Sequence, residues 1–205
     1  MWRFERVYRE LLLSSLRGAS LVHQEYVAST CGVSLGLVNK TVKKLEAAMA
    51  VEATRSGVRV LSPARLLNLW AAERDLSKDV WQSFRLDPVS EVEKNLPRKT
   101  LVTGFSGWFM LSGRKAAEYD RLYFYVAEQD SFDLWLSFRK NKIRKTNPNV
   151  FVLYTDDLHL VRSSERGVVC IPQVYVDIYS IDGPEASPFL RDIVTTYPSL
   201  SILGV

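Results

Sequence analysis

Between residues 27 and 38 the chain reads Val27-Ala28, three residues, Gly32-Val33-Ser34, three more residues, then Val38. No other feature constrains the fold as tightly. A small residue at Ala28 lets two helices cross closely, and Gly32 takes the left-handed backbone that turns the chain between them. Val33 and Val38 seal the joint. Ser34 is a good N-cap for the helix that follows, whose Val38, Val42, Leu45 and Met49 are spaced four, three and four apart as one buried stripe. Upstream, Phe4, Val7, Tyr8, Leu11, Leu12 and Leu16 make another such stripe, stopped by Gly18. A short helix through Glu25, Tyr26, Val27 and Ala28 lies between the two.

The third helix is followed by Val51-Glu52-Ala53-Thr54, Arg55-Ser56-Gly57 and Val58-Arg59-Val60-Leu61. This reads as strand, tight turn and strand, with Arg55 at the tip. Three helices and a hairpin in this order resemble the winged helix-turn-helix of DNA-binding regulators. The exposed face of the third helix offers Ser34, Gly36, Asn39, Lys40, Lys43 and Lys44, with Arg55 and Arg59 added by the hairpin. Asparagine can read an adenine edge, lysine can take guanine or phosphate, and the small Ser34 and Gly36 allow close approach to a groove. Charge placement agrees. Residues 1–62 hold Arg3, Arg6, Arg9, Arg17, Lys40, Lys43, Lys44, Arg55 and Arg59 against Glu5, Glu10, Glu25, Glu46 and Glu52, which accounts for the whole net charge of +4. Double-stranded DNA is the expected partner of this segment.

Past Ser62-Pro63, residues 63–97 read as a helical connector. A helix runs through Leu66, Leu69 and Trp70 to Leu76, an amphipathic piece carries Val80, Trp81 and Phe84, and a short helix sits between Asp87-Pro88 and Leu96-Pro97. Residues 98–205 read as an α+β domain. Strands are expected at 101–103, 122–126, 132–136, 150–154, 168–171 and 174–179, with a helix through Trp108, Phe109 and Leu111 and a terminal helix over 188–194. The fold class expected is α+β, a winged helix followed by a mixed α+β domain that serves partner binding or dimerisation.

A winged helix, then strand, Gly104-Phe105-Ser106 and helix, then Pro172-Gln173-Val174-Tyr175-Val176-Asp177-Ile178-Tyr179, resembles the AbiEi-type antitoxin regulators. These are winged-helix proteins with a nucleotidyltransferase-like C-terminal domain. Segments 27–61, 101–113 and 172–192 carry the likeness. It implies repression of the protein's own operon and a cognate toxin as partner. A homodimer on a two-fold site is compatible with it.

Catalysis is not expected. A nucleotidyltransferase needs two acids, two residues apart, on the strand after its Gly-Ser turn to hold Mg²⁺, and Asp120 is followed at 122 by Leu122. That makes the second domain a degenerate relative of those enzymes. Ser112-Gly113-Arg114-Lys115 lacks the ending of a P-loop. Asp156-Asp157-Leu158-His159 reads as a solvated turn, with acid–base work in a cleft as the lesser alternative. Cys31, Cys170, His23 and His159 are isolated in sequence, so neither a disulfide framework nor a metal site is expected, and no cofactor is implied. No apolar run approaches the ~20 residues of a membrane span and no signal peptide is recognised, which together suggest a cytoplasmic protein. A second basic patch, Arg139, Lys140, Lys142, Arg144 and Lys145, reads either as a solvated loop or as an auxiliary phosphate or acidic-partner contact. The function expected is a DNA-binding transcriptional repressor, with an antitoxin role in view. The alternatives are an RNA- or replication-origin-binding winged helix, or a nucleotide-handling enzyme.

Overall fold

The computed structural model describes residues 2–97, 99–127, 129–137 and 143–201. Helices α1 (Arg3–Leu16), α2 (Gln24–Cys31) and α3 (Leu35–Ala47) lead into strands β1 (Val51–Thr54) and β2 (Gly57–Val60). Gly32 ends α2 in the left-handed conformation, φ 61°, and Ser34 caps α3 by accepting the Leu37 N–H at 3.3 Å. Strands β1 and β2 pair antiparallel in the register Val51↔Val60 to Thr54↔Gly57, leaving Arg55 and Ser56 as the loop. Val22, between α1 and α2, bridges Val58 and adds a third short strand segment to the hairpin.

That third segment dictates the glycine at 57. Its φ is 143°, and a Cβ there would lie 2.7 Å from the Val22 carbonyl oxygen, a backbone atom that cannot swing away. Gly57→Ala is expected to cost about 2 kcal/mol, from the left-handed backbone and the clash together. Thermal denaturation should show a midpoint lower by about 4–8 °C. A midpoint within a degree or so of the parent's would mean that the Val22–Val58 bridge does not hold.

After the hairpin come α4 (Pro63–Glu73), β3 (Val80–Phe84), α5 (Val89–Lys94), β4 (Thr100–Thr103), α6 (Gly104–Ser112), β5 (Leu122–Val126), α7 (Gln129–Ser137), β6 (Val150–Tyr154), α8 (Leu158–Arg162), α9 (Ile171–Tyr179) and α10 (Ala186–Thr196). The fold is mixed α+β. Its larger sheet has the order β3-β6-β5-β4, with β5 and β6 parallel and both outer pairs antiparallel. A parallel pair needs a crossover connection, and α7 supplies it. Both faces of the sheet are covered, which is why β5 is buried at every position. Phe124 and Val126 pack with Phe132 and Trp135 of α7 and with Val89 and Val92 of α5. On the opposite face, Tyr123 and Tyr125 join Phe105, Trp108 and α9. That second cluster continues without a break into Val7, Leu11, Val38 and Leu45, so one core joins the first three helices to the sheet.

Several expectations are corrected. Val80–Phe84 is a sheet strand, not an amphipathic helical piece, so the 63–97 stretch contributes to the sheet. Residues 132–136 lie in helix α7, where Phe132 and Trp135, three apart, cover the sheet. Residues 174–179 lie in helix α9, not a strand, and of 168–171 there remain isolated bridges from Val168 to Val102 and to Glu165 and the start of α9. Helix α4 ends at Glu73, short of Leu76. Met49 is 63% exposed rather than core, because α3 stops at Ala47 and Met49 takes φ 55° on the way into β1.

Candidate nucleic-acid interface

Helix α3 rests on α1, α2 and β1 through Val38, Val42 and Leu45, so its other face is free of the body. Gly36, Asn39, Lys40 and Lys43 fall three and four apart and share that face with Ser34 at its N-terminal end. All five are exposed. The Cβ missing from Gly36 would meet nothing closer than Ser34 Oγ at 4.0 Å, so the glycine keeps the surface low where a groove wall would approach. The side chains of Lys40, Lys43 and Arg55 make no hydrogen bond or ion pair among the described residues.

The remaining cations behave differently. Lys44 turns toward α4, pairs with Glu73 at 2.6 Å and lies over the Phe4 ring. Arg59 faces Glu52 across the hairpin at 3.4 Å. Arg144 pairs with Asp87 at 2.8 Å, and Lys145 is exposed. Arg139, Lys140 and Lys142 lie outside the described residues. Sequence reasoning passed over Leu35, 40% exposed at the first turn of α3 beside Ser34. Its hydrophobicity in an exposed N-terminal turn was the available signal.

The attachment of this unit to the rest of the chain was not visible in the sequence. Arg9 of α1 is fully buried and donates through Nη1 to Asp157 Oδ2 at 2.9 Å and through Nε and Nη2 to Gln173 Oε1. Its Nη1 also meets His159 Nδ1 at 3.0 Å. A guanidinium has only donors, so Nδ1 accepts, and Nε2–H donates to Glu10 Oε2 at 2.8 Å. Burial drives the Glu10 carboxyl up, yet the bonds from His159 and Ser14 hold it below the ordinary carboxylate value. Asp157 is likewise penalised by burial and held low by Arg9 and Arg6. Its other oxygen caps α8 by accepting the His159 and Leu160 N–H groups. The expectation of a solvated turn at 156–159 is thus half wrong. Asp156 is exposed, while Asp157 and His159 are sealed inside, holding helices together.

Other candidate chemistry is equally occupied. Ser106 is buried, and its hydroxyl donates to Glu93, which also accepts from the Tyr119 hydroxyl. Gly104, at φ 64°, packs against Ile181 and Tyr123, so the Gly-Phe-Ser turn is part of the interior. Burial pushes the Cys31 thiol up to about 12, and the thiol donates to the Arg6 carbonyl at 3.2 Å. Among the described residues no group of three metal-ligating side chains converges, and no helix is long and apolar enough to cross a membrane. No protein family, curated protein or solved structure matches this chain.

Proposed function

We propose that this protein is a DNA-binding transcriptional regulator, a repressor rather than an enzyme, whose first 62 residues form a winged helix. The observation that carries the reading is the α3 face: Asn39, Lys40 and Lys43, exposed and with side chains unengaged among the described residues, with the capping Ser34 at its N-terminal end, beside a hairpin whose tip carries Arg55. The contacts made elsewhere support it. The body packs on α1 and α2, leaving α3 to enter a major groove while Arg55 reaches a phosphate or the minor groove. The Val22–Val58 bridge adds the short strand that stiffens a wing. The C-terminal half serves dimerisation or a protein partner, of which a cognate toxin is the one suggested by resemblance.

A fluorescence-anisotropy titration of the full chain tests this, using a labelled duplex from immediately upstream of its own gene. The log of the affinity should fall with the log of salt at a slope of about −3 or steeper, one phosphate each for Lys40, Lys43 and Arg55 plus the helix end. Preference for a structured RNA of equal length, or a flat salt response, would sink the reading.

A further inference from the structure

We propose that the crevice between the last turn of α1 and the first turn of α9 is a binding site for a small apolar α-amino acid. The crevice encloses about 210 Å³. Leu13 and Leu16 of α1 form one wall, and Leu111 of α6, Val168 and Ile171 form the other. The apolar walls do not close on each other. Leu13, Leu16 and Ile171 are only half-buried, and Leu111 is 38% exposed.

The charges around the crevice select the ligand. Arg17 and Glu165 both line it, both are exposed, and neither forms an ion pair or side-chain hydrogen bond among the described residues. Their backbones are fixed. The Arg17 N–H closes α1 on the Leu13 carbonyl at 3.0 Å, and Glu165 exchanges two 2.9 Å hydrogen bonds with Val168. Glu10, an acid on α1 near Arg17, is already engaged by His159 and Ser14.

A ligand with a carboxylate alone would gain at Arg17 and lose at Glu165. An amine alone would do the reverse. A zwitterion satisfies both, with its carboxylate toward Arg17, its ammonium toward Glu165 and its side chain against the leucines. The volume lies below the roughly 300–1,000 Å³ of sites for drug-sized molecules, which limits the occupant to a single residue.

Calorimetry on the full chain tests the site without DNA, so its result is independent of the DNA-binding reading. The probes are L-leucine, L-isoleucine and L-phenylalanine, with 4-methylpentanoate and isopentylamine as leucine analogues lacking one charge each. At least one of the amino acids should bind, and each analogue should bind at least about tenfold more weakly than leucine. Arg17→Gln and Glu165→Gln, both at exposed positions and expected to keep the parental melting midpoint, should each weaken amino-acid binding by about tenfold or more. No binding by any of the three, an analogue equal to leucine, or both variants indistinguishable from the parent would overturn the proposal.

Discussion

Arg74→Met should lower the stability of the protein by at least about 3–5 kcal/mol, seen as a thermal midpoint about 10 °C below the parent's. Arg74 is buried at the end of α4, and its guanidinium is surrounded by acids. Nε donates to Asp177 Oδ1 at 2.9 Å, Nη1 pairs with Asp79 at 2.7 Å and approaches Glu5 at 3.6 Å, and Nη2 donates to the Tyr125 hydroxyl at 2.9 Å. Burial alone would weaken the charge on Arg74. The surrounding Tyr125, Asp177, Glu5 and Asp79 more than reverse that, so the guanidinium is locked in its charged form. Methionine fills much of the same volume but leaves three carboxylates facing one another without a cation. Uncompensated buried charge is the costly outcome, far more than the net worth of the ion pair itself.

Two further variants separate that cost from simple loss of packing. Arg74→Lys keeps the charge but cannot span Asp177, Asp79 and Tyr125 with one planar fork, and should fall between the parent and Arg74→Met. Asp177 also accepts from Thr103, Tyr125 and Gln173 at 2.7–2.9 Å. Asp177→Leu added to Arg74→Met should therefore cost less than the two single changes summed, with a coupling of about 1–3 kcal/mol. An Arg74→Met protein within about 1 kcal/mol of the parent by urea titration would show the cluster to be solvated and loosely held.

Helix α3, with one wet face, was legible in the sequence, and helix α9, buried nearly all round, was not. In α3 the apolar stripe of Val38, Val42 and Leu45 alternates with lysines, so the period is written out. Helix α9 packs on α1, α4, α6 and α10 at once and is apolar on nearly every side, and its Val174, Val176 and Ile178 imitate a buried strand. Its helical cue was polar. Gln173 and Asp177, four apart, share one face because they meet Arg9 and Arg74. The candidate interface was legible where it depends on helical spacing, as for Asn39, Lys40 and Lys43. It was not legible where a distant residue decides, as with Glu73 drawing Lys44 away. The Arg9–Asp157 pair joins positions 148 residues apart, and no local pattern announces it.

Lys40→Glu combined with Lys43→Glu should weaken DNA binding by about a thousandfold at 0.15 M salt. Each phosphate neutralised contributes about 0.9 to the slope of log affinity against log salt. Reversing two cations removes both phosphate contacts, so the slope should flatten by roughly 1.8, and the two repulsions added bring the loss of affinity near physiological salt to about three orders of magnitude. The corresponding alanine pair should lower the slope by about 2 and the affinity by about 30-fold. Neither pair should shift the melting midpoint much, because both side chains are exposed and unpaired. Lys44→Ala is the decisive control. It sits one residue from Lys43 in the sequence but about 100° around the helix, held by Glu73 and the Phe4 ring. Its removal should leave the salt slope within a few tenths of the parent's and cost a little stability instead. If a Lys44 variant lost DNA affinity as steeply as the Lys40/Lys43 pair, binding would track the total charge of residues 1–62. The α3 face would then have no special part in it.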